Sequence, residues 1–213
     1  MVLVKYMKIH KIQGDISSEV AKSFKESVAI DTEATGLQIP ERDKLSLIQI
    51  CGENTDVYII QPDRKNYNAP NLVSVLENEK IQKIGHFLRF DKSALEYFLK
   101  CKIKNIFDTK IASKICRTYT DSHGLKNLVQ EFCNKNLDKK QGSSDWNKNI
   151  NELSEKQLEY AANDVLYLHK IKTELEKMLI RENRMDLYKR CLDFLDTRVE
   201  LDQSGFKFDI FEH

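Results

Sequence analysis

Asp31 and Glu33 stand two apart at the end of the apolar run Val28-Ala29-Ile30. In an extended chain, side chains two apart share a face, so these carboxylates can converge on one divalent cation. Asp-x-Glu alone is common in soluble proteins, but charges that close a buried strand need neutralising partners. Asp91 follows the apolar segment 82–86 and opens a helix, a position that also suits an ordinary N-cap or first-turn acid favoured by the helix dipole. Tyr160 and Asp164 lie four apart on a longer helix and project from the same side of it. The plainer alternative there is an exposed polar ridge with a half-buried tyrosine.

The elements that must position these groups follow from periodicity. β-type runs at 28–33, 45–51 and 57–60, separated by polar turn material, predict a three-strand meander. Helix and strand then alternate, with helices at 71–77, 91–100 and 109–116 and strands at 82–86 and 103–107, the pattern of parallel crossovers. From Gly124 the chain reads as helical, interrupted by the polar stretch 138–149 that holds the only tryptophan, Trp146. Ser154-Glu155-Lys156-Gln157 has the form of a capping box. Leu158, Ala161, Val165, Leu168, Ile171 and Leu175 follow at spacings of three and four, which predicts the longest helix of the chain, with one apolar stripe against the sheet. The expected fold class is α/β, a mixed sheet flanked by helices.

With 213 residues and no repeat or linker, the chain reads as one domain. Hydrophobic residues at 41% and charged residues at 31% exclude a disordered or fibrous protein, and 7 Gly and 3 Pro are too few for a many-turned sandwich or barrel. The 34 Lys+Arg against 33 Asp+Glu give a formal charge of +1, so no global positive field exists to hold a long duplex, and any nucleic-acid contact should be local. Five cysteines without a C-x-x-C pair form neither a disulfide framework nor a zinc signature and read as reduced core thiols. Lys5, Lys8 and His10 break the N-terminal apolar run too early for a signal peptide or a membrane span, so the expected location is cytoplasmic, with no membrane partner.

Taken in order, the acidic pieces resemble the DEDDy class of 3′→5′ exonucleases, on AIDTEATGL (29–37), IGHFLRFDKSAL (84–95) and YAANDVLYL (160–168). IFDTKIAS (106–113), HGLKNL (123–128) and SSDW (143–146) narrow the likeness to the ribonuclease D group, over residues 27–172. Two departures stand out. His86-Phe87-Leu88-Arg89 precedes Phe90-Asp91 where ribonuclease D proper usually has His-Asn, and only residues 173–213 remain where that protein carries helical RNA-binding domains. Both traits match the short ribonuclease D-like proteins of alphaproteobacterial type, nanoRNase C, which cleave dinucleotides. The resemblance implies a ribonuclease H-like fold in one exonuclease domain over 1–213, with 173–213 a helical C-terminal extension and no separate RNA-binding domain.

The resemblance also implies the site. Asp31, Glu33 and Asp164 would hold a first divalent ion, Asp31 with Asp91 would help place a second, and Tyr160 would orient the attacking water. Four oxygen ligands suit Mg²⁺ or Mn²⁺ rather than zinc. The implied activity is a metal-dependent exoribonuclease that degrades very short single-stranded RNA, dinucleotides foremost, to nucleoside 5′-monophosphates. Two rivals stand beside it: a general exonuclease trimming longer single-stranded RNA, including tRNA 3′ ends, or DNA; and a catalytically silent nuclease fold serving as a nucleic-acid-binding scaffold.

Substrate contacts are expected from Thr32, Leu37, His86, Ser143, Ser144 and Trp146. Leu37 either matches the leucine that dinucleotide-specific relatives wedge between two bases or is ordinary core. His86 either meets a substrate phosphate or is a satisfied, partly buried histidine. Trp146 either lines the cleft or pins a long loop to the core. Asp108 reads as the N-cap of helix 109–116. Phe206, Phe208 and Phe211, beside Leu201 and Ile210, must dock on their own domain or on a partner subunit. The nanoRNase C proteins assemble as octamers, so the resemblance implies a homo-oligomer.

Overall fold

The computed structural model describes residues 7–39, 42–137, 144–206, 208, 210 and 211. Six strands, β1 (Lys8–Gln13), β2 (Ser27–Ala34), β3 (Leu45–Cys51), β4 (Asp56–Gln61), β5 (Gln82–Gly85) and β6 (Ile106–Asp108), form one sheet in the order β1-β4-β3-β2-β5-β6. β3 pairs antiparallel with β2 and β4, and the other pairings are parallel. Every strand but β3 therefore ends on the same edge of the sheet. The meander is β2-β3-β4. β1 lies outside the elements that periodicity predicts, because Lys8 and Lys11 face solvent along it, as charges commonly do on an edge strand.

Among the described residues, eight α-helices accompany the strands: α1 (Ser18–Ser23), α2 (Pro70–Glu77), α3 (Arg89–Leu99), α4 (Thr109–Cys116), α5 (Leu125–Cys133), α6 (Glu155–Leu166), α7 (Leu168–Arg181) and α8 (Met185–Gln203). Alternation along the strands divides the core in two. Ala29, Leu47, Val57, Ile59 and Ile84 pack with Leu128, Ala161, Val165, Leu168, Ile171 and Leu175 of α5, α6 and α7. Val28, Ile30, Ile48, Ile50 and Ile60 pack with Leu72, Leu76, Ala94 and Leu95 of α2 and α3. Covered on both faces, β3 is buried throughout.

The predicted long helix is two. Its stripe is buried as expected, but the helix is interrupted at Tyr167, which ends α6 and caps α7 with no proline or glycine to signal the break. The longest helix is α8, whose Tyr188 belongs to one half of the core and whose Leu195 and Val199 belong to the other. A helix that wraps the β6 edge in this way has no single apolar stripe to read. No helix among the described residues is long and apolar enough to cross a membrane.

Candidate active site

β2 carries Asp31 and Glu33 to the sheet edge on the face covered by α6. A carboxylate oxygen from each of Asp31, Glu33 and the α6 residue Asp164 lies within 4.8 Å of the other two. Asp91 arrives from the first turn of α3 on the opposite face. Thr32, between the two β2 acids, points to that face and donates from Oγ1 to Asp91 Oδ1 at 2.5 Å, both residues being buried. Tyr160, one turn before Asp164 on α6, is hydrogen-bonded to the Asp164 side chain.

The electrostatics are those of an acid cluster without a counterion. Burial, followed by repulsion from Asp91, Asp164 and Glu33, holds the Asp31 carboxyl well above the usual carboxylate range. Burial, then Asp164 and Asp91, lifts Glu33 to about 9. Burial raises Asp91 less, to about 6, because the Thr32 hydrogen bond favours its charged form. Burial, then the neighbouring acids, pushes the Tyr160 phenol far above its ordinary value, so it stays neutral and cannot serve as a base near neutral pH.

The positions of the second-rank groups have local causes. Asp108, at the end of β6, caps α4 by accepting from the amides of Lys110 (2.8 Å) and Ile111 (2.9 Å). The same carboxylate accepts from Leu88 N (2.7 Å) and Phe87 N (3.3 Å), which fixes the start of α3 and hence Asp91. Sequence reasoning identifies only the first of these roles. Gly85 permits the approach, since a Cβ there would run into the Leu88 side chain.

Leu37 is 83% exposed, which removes its reading as core. The turn that presents it needs Gly36, whose Cβ would overlap the Asp43 carboxylate, and Asp43 accepts from Gln38 N at 2.8 Å. With Ile39, Phe87, Phe90 and Ser93, Leu37 lines a cavity of about 380 Å³ that Arg89 and Asp202 close on the α8 side. Arg89 grips Asp202 through two hydrogen bonds of 2.6 and 2.7 Å.

His86 is partly buried. Thr109 Oγ1 donates to Gly85 O, so the 2.9 Å contact between His86 Nδ1 and that hydroxyl has the imidazole as donor. Thr32 is committed to Asp91 and sits as its support. Trp146 is 4% exposed and stacks towards Tyr160, with ring centroids 6.2 Å apart, so it is a loop-pinning residue beneath the site. Ser144 lies part-buried on the same segment, and Ser143 falls outside the described residues.

A domain family described as 3′-5′ exonuclease matches residues 9–180. The chain belongs to the 3′-5′ exonuclease family. Ribonuclease D of Bartonella henselae is 33% identical over 141 residues, covering 66% of this chain and 34% of that protein. The chain thus spans about a third of the length of the curated relatives it matches. Among solved structures, Brucella melitensis NrnC bound to pGG is 42% identical with a TM-score of 0.90, covering 98% of this chain and 100% of that one. The same Brucella protein with bound Mg²⁺ is 42% identical with a TM-score of 0.88, covering 97% and 100%. Within the exonuclease family the chain is of the ribonuclease D group and like NrnC, and its mixed, helix-flanked sheet is the ribonuclease H-like fold expected from its sequence.

The donor set fits the divalent cation that such an exonuclease uses. All candidate ligands are hard carboxylate oxygens, and the strongest influences on Asp31 and Glu33, apart from burial, are other carboxylates. Gln49, the cross-strand partner of Asp31, keeps its carboxamide fully buried with no hydrogen bond among the described residues, as a group facing ordered water or ion-bound solvent would.

Proposed function

We propose that the protein is a cytoplasmic, metal-dependent 3′→5′ exoribonuclease that degrades very short RNA, dinucleotides foremost, to nucleoside 5′-monophosphates. The observation that carries this reading is the convergence of Asp31, Glu33 and Asp164 within 4.8 Å at the same sheet edge as Asp91. Two bound Mg²⁺ or Mn²⁺ ions would supply Lewis acidity there, activating a water and neutralising charge on the leaving 3′ oxygen. Asp31, Glu33 and Asp164 would hold the first ion, and Asp31 with Asp91, steadied by Thr32, would help hold the second. The neutral phenol of Tyr160, hydrogen-bonded to Asp164, would orient the attacking water.

The cavity lined by Leu37, Phe87 and Phe90, the residue before Asp91, supports the short substrate. At about 380 Å³ it is at the small end of the roughly 300–1,000 Å³ typical of ligand sites. Leu37 and Phe87, both exposed, offer apolar surface to bases, and the Brucella relative has been solved bound to pGG. Trimming of longer single-stranded RNA is the alternative reading, which the likeness to ribonuclease D keeps open. A time course of Mg²⁺-dependent cleavage on labelled RNAs from two to about twenty nucleotides separates the two. Faster turnover of dinucleotides is expected, and equal or faster turnover of the long RNAs would favour trimming.

The working form is a homo-oligomer. Arg198 anchors the C-terminal segment by donating to the carbonyls of Phe206 (2.5 Å) and Phe208 (3.1 Å), yet Phe208 and Phe211 stay largely exposed. Such rings support burial against a second subunit. Light scattering on the full chain and on a chain ending at Ser204 tests this: a monomeric full chain defeats the oligomer, and an unchanged assembly after truncation defeats the role of the segment.

A further inference from the structure

Trp146, the chain's only tryptophan, lies in a segment, 144–149, that has no regular secondary structure. Its burial against Tyr160 must therefore be imposed from outside the segment. The residues that impose it sit at and just beyond the C-terminal end of β4. Arg64 donates from Nη2 to Trp146 O (3.1 Å) and from Nη1 to Asn147 O (3.2 Å) and Asn147 Oδ1 (2.5 Å). Gln61 donates to Lys148 O (2.8 Å) and accepts from Ile150 N (3.0 Å). From the other side Gln157, in the first turn of α6, donates to Asp145 O at 3.4 Å. β4 runs parallel to β2, since both are antiparallel to β3, so this clamp stands on the sheet edge that carries Asp31 and Glu33.

We infer that Arg64 is a positioning residue for the exonuclease reaction: it holds Trp146 and Asn147, the indole supports the Tyr160 ring, and the phenol is thereby fixed beside Asp164. The kinetic half of this inference rests on the function proposed above, while the clamp rests on geometry alone. Arginine suits the task because its planar fork can hold successive carbonyls and a side-chain oxygen together, which the point charge of lysine cannot do in one geometry. The phenol is hydrogen-bonded to Asp164, a carboxylate that the metal site also engages, so ring packing has to contribute to its orientation. Groups bonded directly to metal ligands, as Tyr160 is to Asp164, typically alter activity by about 10- to 100-fold when removed, and Arg64, acting through Trp146 and Tyr160, should not exceed that.

A single tryptophan makes the clamp readable without metal or RNA. Arg64→Ala should move Trp146 emission to longer wavelength, as the indole meets water, and lower kcat by no more than the roughly 10- to 100-fold expected of Tyr160→Phe, with KM within about twofold. Arg64→Lys should fall between Arg64→Ala and the parent in both readouts. Unchanged emission in Arg64→Ala overturns the clamp, and shifted emission with unchanged kcat overturns its part in catalysis. Should Arg64→Ala fail to fold by circular dichroism, Arg64→Lys carries the test: shifted emission with a lowered kcat supports the inference, and parental values overturn it. A parent protein that hydrolyses no RNA overturns the exonuclease reading and the kinetic half with it. The emission arm, which needs neither metal nor substrate, tells that failure apart from loss of the clamp.

Discussion

The two sides of the cleft are built on opposite terms. On the β2 and α6 side, Asp31, Glu33 and Asp164 are crowded together, with Asp91 reaching towards them from α3, and burial and mutual repulsion work against their charge. On the α3 and α8 side, Leu37 and Phe87 are exposed apolar groups, and the charges behind them are paired, Arg89 and Arg198 both donating to Asp202. The first side stores an unmet demand for cations; the second has its charges satisfied and an unmet demand for apolar partners. On the proposed function, metal ions would complete the first region and bases the second.

The contrast is broken most severely by removing one acid. Asp31→Asn or Asp164→Asn should lower kcat about a thousandfold or more, since metal ions contribute several kcal/mol of transition-state stabilisation. The same changes should leave melting in EDTA no lower than that of the parent, because a repelling charge has gone. A variant that keeps near-parental turnover in saturating Mg²⁺ would remove the residue from the metal site. Tyr160→Phe should reduce kcat about 10- to 100-fold with little change in KM, and a raised KM with constant kcat would make the phenol a binding group instead.

On the apolar side the expected losses are smaller and depend on substrate length. Leu37→Ala should weaken dinucleotide turnover by ~1–3 kcal/mol, by analogy with a base stacked on an aromatic ring, and cost less on long RNA, which has other contacts. Equal proportional losses on both substrates would end the wedge role for Leu37.

The remaining effects are on stability, and the two sides should answer pH with opposite sign. Glu33, near 9 when folded against an ordinary 4.5, keeps a proton that the unfolded chain has lost. The stability of the metal-free protein is therefore full below about 4.5 and falls as pH rises towards 9, with Asp91 contributing between 3.8 and about 6. Burial pushes Asp202 up, but the hydrogen bonds from Arg89 and Arg198 outweigh it and hold the carboxyl below its ordinary range. That contribution is present above pH 3.8 and lost as pH falls further. Melting in EDTA should be higher at mildly acidic than at alkaline pH, and Mg²⁺ or Mn²⁺ should raise it most at alkaline pH. Metal-independent melting that rises from acid to alkaline pH would contradict the buried-acid account.

The two sides also differ in how much of them could be read from the sequence. Asp31-x-Glu33 at a strand end and Tyr160-x-x-x-Asp164 on a helix were legible because backbone periodicity alone puts each pair on one face. The Thr32 bond to Asp91 and the second pair of amides on Asp108 were not, since both join elements far apart in sequence. Leu37 left its reading open because exposure depends on Asp43 closing the turn at Gly36. α8 and the break at Tyr167 escaped for related reasons: one helix serves two halves of the core, and the other break has no breaker residue. Arg64 carries no signal at all, as its partners are mostly backbone carbonyls more than eighty residues away.

The central claim is that the crowded acids hydrolyse short RNA through bound cations. A 5′-phosphorylated dinucleotide incubated with the parent protein and with Asp31→Asn, in Mg²⁺, Mn²⁺ or EDTA, and resolved by chromatography tests it directly. The expected result is conversion to nucleoside 5′-monophosphates by the parent in Mg²⁺ or Mn²⁺, with none in EDTA and next to none by Asp31→Asn. No conversion in either cation, equal conversion in EDTA, or parental turnover by Asp31→Asn would contradict it.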